Sequence, residues 1–186
     1  MRILATGLDE LLAYRPTLGE GKNVKQTLLE LMSRMNSLSQ LANQEAADLK
    51  GIYGIENIAT TKDYAEIFVN EPKPAHVALE AFVRALPLSV LFSTLVLMYA
   101  GRVKDAPLDS VDSYCRGAIL PTAAELAITE KHPRMKYIAS GIDSLGTDRL
   151  QELHERVREA LSESQVPDNR PDELPILRLS DYQSQS

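Results

Sequence analysis

Between Asn23 and Lys50 the apolar residues Val24, Leu28, Leu31, Met35, Leu38 and Ala42 recur at steps of 4, 3, 4, 3 and 4. That spacing lines all six along one side of an α-helix. Asn23 is a good N-cap with Gln26 at N3, and Gly51 is a natural stop. Leu29, Met32 and Leu41 widen the stripe. At 1.5 Å per residue, residues 23–50 predict a rod of about 42 Å, long for a helix inside one small domain. A stripe of that length must be covered, by its counterpart in a homodimer, by a helical partner protein, or by residues 75–100 of the same chain folded back on it. The first two make the six residues an interaction seam and the third makes them core.

The second constraint is residues 85–101, which carry no charge and include Leu86, Leu88, Val90, Leu91, Phe92, Leu95, Val96, Leu97 and Met98. A helix that is apolar nearly all round belongs at the centre of a bundle or in a membrane. At 17 residues the run sits at the lower edge of a span, and Pro87, Ser89, Ser93, Thr94 and Tyr99 interrupt it. A central helix from Leu88 to Ala100, opened by Pro87 and closed before Gly101, is the expectation, with no membrane span.

Elsewhere the punctuation predicts more helices. A short one is expected over Tyr64–Val69 and another over Ala75–Ala85, ended because Leu86 precedes a proline. Leu108–Arg116, Thr122–Glu130 after Pro121, and Pro133–Ser140 before Gly141 follow. The last begins near Thr147 and buries Leu150, Leu153, Val157, Ala160 and Leu161, with Glu152 and Arg156 spaced for a surface pair. Only Ile3–Ala5 and Ile55–Ala59 look strand-like, and both are short. The expected class is all-α: one multi-helix bundle over residues 22–163, an N-terminal arm over 1–21, and a flexible polar tail over 164–186 that holds one apolar run, Leu174–Leu179.

With 26 acidic and 20 basic residues the net charge is -6, and residues 106–186 hold 14 of the acids against 9 bases. That leaves no electrostatic footprint for nucleic acid or an anionic membrane surface. The single Cys115 makes no internal disulfide, and the start reaches Asp9 and Glu10 before an apolar run accumulates, so a cytoplasmic protein without a signal peptide is expected.

Leu86-Pro87, then Leu97-Met98-Tyr99-Ala100-Gly101-Arg102, then Pro133, Tyr137-Ile138 and Gly141-Ile142 form a pattern over about residues 86–145. It resembles a bacterial family of small helical proteins of unknown function. The resemblance implies a helical, soluble, bacterial protein and no catalytic residue. By themselves the same positions read as caps (Gly101, Gly141), a helix start (Pro133) and packing (Tyr99, Tyr137).

Chemistry-bearing motifs are weak. Gly19-Glu20-Gly21-Lys22-Asn23 before a helix invites a phosphate-loop reading, but Pro16 stands where the loop needs glycine and Asn23 where it needs Ser or Thr. His76, His132 and His154 form no metal spacing and read as surface or cap residues, although His76 and Glu80 share a helix face. No metal or cofactor is expected. Cys115 beside Arg116 is an activated thiol only if that cation lowers its pKa; burial is the plainer reading. Lys131-His132-Pro133-Arg134-Met135-Lys136 has the basic character of a DNA-reading turn but holds proline where glycine is usual, and reads as a solvated corner.

The expected function is therefore a non-enzymatic protein-interaction or self-association module acting through the seam. The alternative is a small-molecule-binding protein or enzyme with a pocket beside residues 87–102, where Tyr99, Arg102, Lys104 and Tyr114 supply polar contacts to an apolar cleft.

Overall fold

The computed structural model describes residues 24–52, 73–116, 119–130 and 134–164. Seven α-helices follow in order: α1 (Val24–Ile52), α2 (Pro74–Arg84), α3 (Leu88–Val103), α4 (Val111–Cys115), α5 (Pro121–Glu130), α6 (Arg134–Leu145) and α7 (Leu150–Glu163). Short 3-10 turns, Pro107–Ser110 and Thr147–Arg149, lead into α4 and α7, and no strand occurs among the described residues. The all-α class holds. The helix expected over Tyr64–Val69, the Gly19–Asn23 loop, both strand-like runs and the tail all lie outside the described residues.

Helix α3 is the centre of the bundle. Twelve of its 16 residues are buried, and α4, α5, α6, α7 and the Pro107–Ser110 turn all pack on it. Its polar residues fit there because each satisfies itself: the Ser93 hydroxyl donates to the Ser89 carbonyl at 2.7 Å and Thr94 to Val90 at 2.9 Å. Between α2 and α3 the chain turns by 112°. Pro87 stands there at φ -52°, ψ 145°, an extended residue that ends one helix and starts the next. Among the described residues no single helix is long and apolar enough to cross a membrane, though this bent pair meets the length and composition of a span.

Fold-back of the chain covers the long seam. Leu28, Leu31, Met35, Leu38 and Ala42 are buried and Val24 half-buried, with α1 lying along α2 and touching α7. The stripe expected as an interaction surface thus has its area covered within one chain, and Thr27, Met32 and Ser39 are buried beside it. Helix α2, mostly apolar on its inner side, supplies Ala78, Leu79 and Phe82 to the shared core.

Three glycines read as helix stops do something else. The long helix runs through Gly51, the central helix through Gly101, and α6 through Gly141. A Cβ built on Gly101 meets the Tyr137 carbonyl oxygen at 1.9 Å, and one on Gly141 meets the Leu97 carbonyl oxygen at 2.2 Å. The two glycines let the antiparallel α3 and α6 touch backbone to backbone, closer than the 8–10 Å at which helices with side chains between them pack. Leu97, Gly101, Tyr137 and Gly141 are the residues that meet here. The left-handed cap that the sequence reading put at a glycine falls on Lys104, φ 63°, ψ 32°.

Helix α2 begins with Pro74, which has no amide hydrogen, and its next two amides are satisfied from α1: Ala75 and His76 donate to the two Glu45 carboxylate oxygens at 3.2 and 3.1 Å. A carboxylate on a helix N-terminus is favourable for both the hydrogen bonds and the helix dipole. Replacing Glu45 with alanine is expected to lower the unfolding free energy by about 1–2 kcal/mol, as loss of a helix cap does. Urea denaturation checks it; an unchanged midpoint defeats this account of the cap.

Candidate functional site

Catalysis needs an acid, a base or a nucleophile with room to act. His154 of α7, read as a surface residue, is buried, with Nε2 3.0 Å from the Ser89 hydroxyl in the first turn of α3. Burial, helped by the nearby Arg158 charge and opposed by Glu155, pushes its pKa down to about 4. It is a neutral core residue at pH 7.

Cys115 is likewise buried, and burial with the Asp112 charge pushes its thiol up to about 12. Arg116 does not activate it; that guanidinium pairs with Asp112 at 3.0 Å and with Glu163 at 2.7 Å. Glu152, expected to pair with Arg156, pairs instead with Arg149 at 2.9 Å, while Arg156 donates to the Leu108 carbonyl at 3.3 Å. His76 and Glu80, which share a helix face, lie 3.1 Å apart.

In the basic cluster, Lys136 is exposed but Arg134 is 3% exposed. Its Nη1 donates to Ser39 Oγ on α1 at 2.6 Å and its Nη2 to the Thr129 carbonyl in the last turn of α5, where a cation complements the helix dipole. Nε finds no acceptor in the structure, and burial lowers the pKa of the group. Arg134 therefore joins α1, α5 and α6 and corrects the reading of this stretch as wholly solvated. Nothing in the sequence distinguishes it from Lys136 except its place one turn ahead of Ile138, a weak signal. Among the described residues no group of three His, Cys, Asp or Glu is placed to hold a metal ion.

Of the four residues expected beside a pocket, Tyr99 and Arg102 lie in the last turns of α3, Lys104 just past its end and Tyr114 on α4. The Tyr99 and Tyr114 rings stack with centroids 5.0 Å apart and planes 14° from parallel. Burial, then the Tyr99 and Asp105 charges, raise the Tyr114 pKa against the opposing pull of Arg102. Arg102 and Lys104 themselves are exposed. On the other flank of the central helix, the crevice among Leu28, Met35, Phe82, Leu86, Val90 and Thr94 admits no water molecule.

Among the described residues three large apolar side chains are exposed: Leu120 (67%) at the start of α5, Leu126 (54%) on it, and Val103 (54%) at the end of α3. The Leu120 carbonyl accepts the Ala123 and Ala124 amides at 2.9 and 3.1 Å, so Leu120 is the N-cap of α5. Ala124 and Ile128 point into the core, while Thr122, Ala123 and Leu126 face solvent and Ala127 is half-covered. The outer face of α5 is therefore a strip of Leu120, Ala123 and Leu126. Sequence reading missed it because the α5 helix has apolar residues on both sides and no stripe marks which one is core. Comparison with protein-family models, with curated proteins and with solved structures finds no match for the chain.

Proposed function

We propose that this chain is a non-enzymatic, cytoplasmic protein-interaction module that docks a partner on the outer face of α5. The observation that carries the reading is the pair of leucines left in water, 67% and 54% exposed, by a fold that buries its other long apolar stripes. Large apolar side chains clustered on one helix face mark association surfaces more often than chemistry. The state of the titratable side chains supports the same reading: His154 and Cys115 are buried in their uncharged forms, Arg134 is locked into the core, and Glu45 serves as a helix cap. The seam first considered for assembly supports it only indirectly, as the core that holds α5 in place.

The test is a photo-crosslinking amino acid placed at Leu126 and, as a control, at exposed Ser33 on α1. The Leu126 label is expected to give one discrete adduct that the Ser33 label does not, at twice the chain mass if the partner is a second copy. Leu120→Asp should abolish it while leaving stability within about 0.5 kcal/mol, as surface substitutions do. A chain that yields no adduct at Leu126 in its native cells, or the same adducts from both positions, refutes the reading.

A further inference from the structure

We infer that the occupant of the α5 face is a second copy of this chain, the two copies meeting about a two-fold axis at Ala123 in a weak, reversible dimer. The inference rests on the reading of that face as a docking surface and names its partner. Charge points to this occupant. The chain carries a net charge of -6, yet from Ile119 to Thr129 the sequence holds one charged residue, Glu125. That side chain is 15% exposed and turns to Arg84 of α2 at 3.8 Å. The exposed residues of the stretch, Leu120, Thr122, Ala123 and Leu126, are all uncharged. The outer face of α7, by contrast, presents Glu152, Glu155 and Glu159, which two copies meeting there would set against each other. At α5 two chains of the same sign approach with no like charges in contact.

The strip is also complementary to itself. A partner of different sequence is selected by charged and polar groups that match it, and the strip of Leu120, Ala123 and Leu126 presents no charge to do so. Leu120 and Leu126 stand three residues either side of Ala123, about 4.5 Å of helix rise each way. A two-fold axis at Ala123 therefore lays Leu120 of each copy on Leu126 of the other, one contact made twice, with the small Ala123 side chain where the helices cross.

Size sets the strength. Three side chains cover far less than the ~800 Å² per partner of a standard interface, so the dimer forms only at high concentration. Its salt dependence has a definite sign. Each copy carries -6 and the contact holds no ion pair, so added salt screens the repulsion between copies and strengthens association. A contact held by opposite charges weakens instead.

The test is sedimentation equilibrium of the full chain, joined to oxidative crosslinking of an Ala123→Cys variant. The mean mass is expected to rise from that of one chain towards that of two as the concentration approaches about a millimolar, and the dissociation constant to fall several-fold between about 0.05 and 0.5 M NaCl. Leu126→Asp should remove the rise. Ala123→Cys should give a disulfide dimer and Leu126→Cys should not, since the axis holds the two Leu126 positions about 9 Å apart along the helices, beyond the reach of a disulfide. Buried Cys115 stays out of the reaction. A mass of one chain throughout, a dimer that salt weakens, a rise that Leu126→Asp leaves intact, or equal crosslinking from both cysteines overturns the inference. The two readings fail separately: a chain that stays single yet gives a Leu126 photo-adduct of another mass keeps the docking face and loses this occupant, whereas the absence of any adduct at Leu126 removes the face itself.

Discussion

Gly141→Ala is expected to destabilise the fold by about 3 kcal/mol, at the upper end of what overpacking costs, and to lower the melting temperature by about 10 °C. Alanine has the better helix propensity by about 1 kcal/mol, so the local effect alone has the opposite sign. It is outweighed because the new methyl lands 2.2 Å from the Leu97 carbonyl oxygen and 3.0 Å from the Leu97 Cα. Those are backbone atoms of the most buried helix and have no rotamer to move into, so α3 and α6 must separate. Gly101→Ala is expected to behave alike, its methyl meeting the Tyr137 carbonyl oxygen at 1.9 Å. Gly51→Ala is the control. Nothing lies within 4 Å of a Cβ there, so it should be neutral or gain up to about 0.5 kcal/mol. Urea denaturation of the three variants decides, and a Gly141→Ala protein as stable as the parent would show that the two helices do not touch.

Stability should also fall as the pH drops from 6.5 towards 4, with His154 contributing up to about 3 kcal/mol of the loss. In the unfolded chain the imidazole titrates near its usual 6.5, and in the fold burial holds it down to about 4. Between those values the unfolded state binds a proton that the native state refuses, so protons favour unfolding. Above 6.5 both states are neutral and this contribution is flat. Other groups act in the same range with different signs: Glu45, whose pKa burial raises, contributes in the opposite sense, while exposed Asp148 and Glu152, held low by Lys25 and Arg149, contribute in the same sense. The measurement is therefore a difference, the unfolding free energy of the parent minus that of His154→Gln at pH 7, 5.5 and 4.5. Glutamine keeps a polar group for Ser89 but does not titrate. A difference that stays constant across the three pH values would mean that His154 is not buried neutral.

Both predictions turn on residues whose sequence reading was local and whose role is not. His154 sits between Leu153 and Glu155 with no flanking signal, and it is buried because α7 lays that side of its helix on the first turn of α3. Arg134, inside a run that looks solvated, reaches Ser39 from 95 positions away, a pairing no window of the chain contains. The outer strip of α5 was hidden for the converse reason, since Leu126 and Ile128 are equally apolar and only packing decides that one is 54% exposed and the other buried.

The helical class and the approximate limits of the seven described helices were determined by the sequence alone. The 4, 3, 4, 3, 4 spacing after Asn23, the uncharged run from Ala85 and the prolines at 74, 87 and 121 act within one or two turns, where propensity and capping do not depend on what lies opposite. Which surface covers the long seam, whether a glycine ends a helix or admits a neighbour, and which leucines stay in water were decided by the tertiary structure. Those outcomes depend on distances between residues far apart in the chain. The same glycine stops a helix when its φ turns positive and cements a helix pair when a carbonyl lies 2 Å from its missing Cβ, and only the packed fold selects between them.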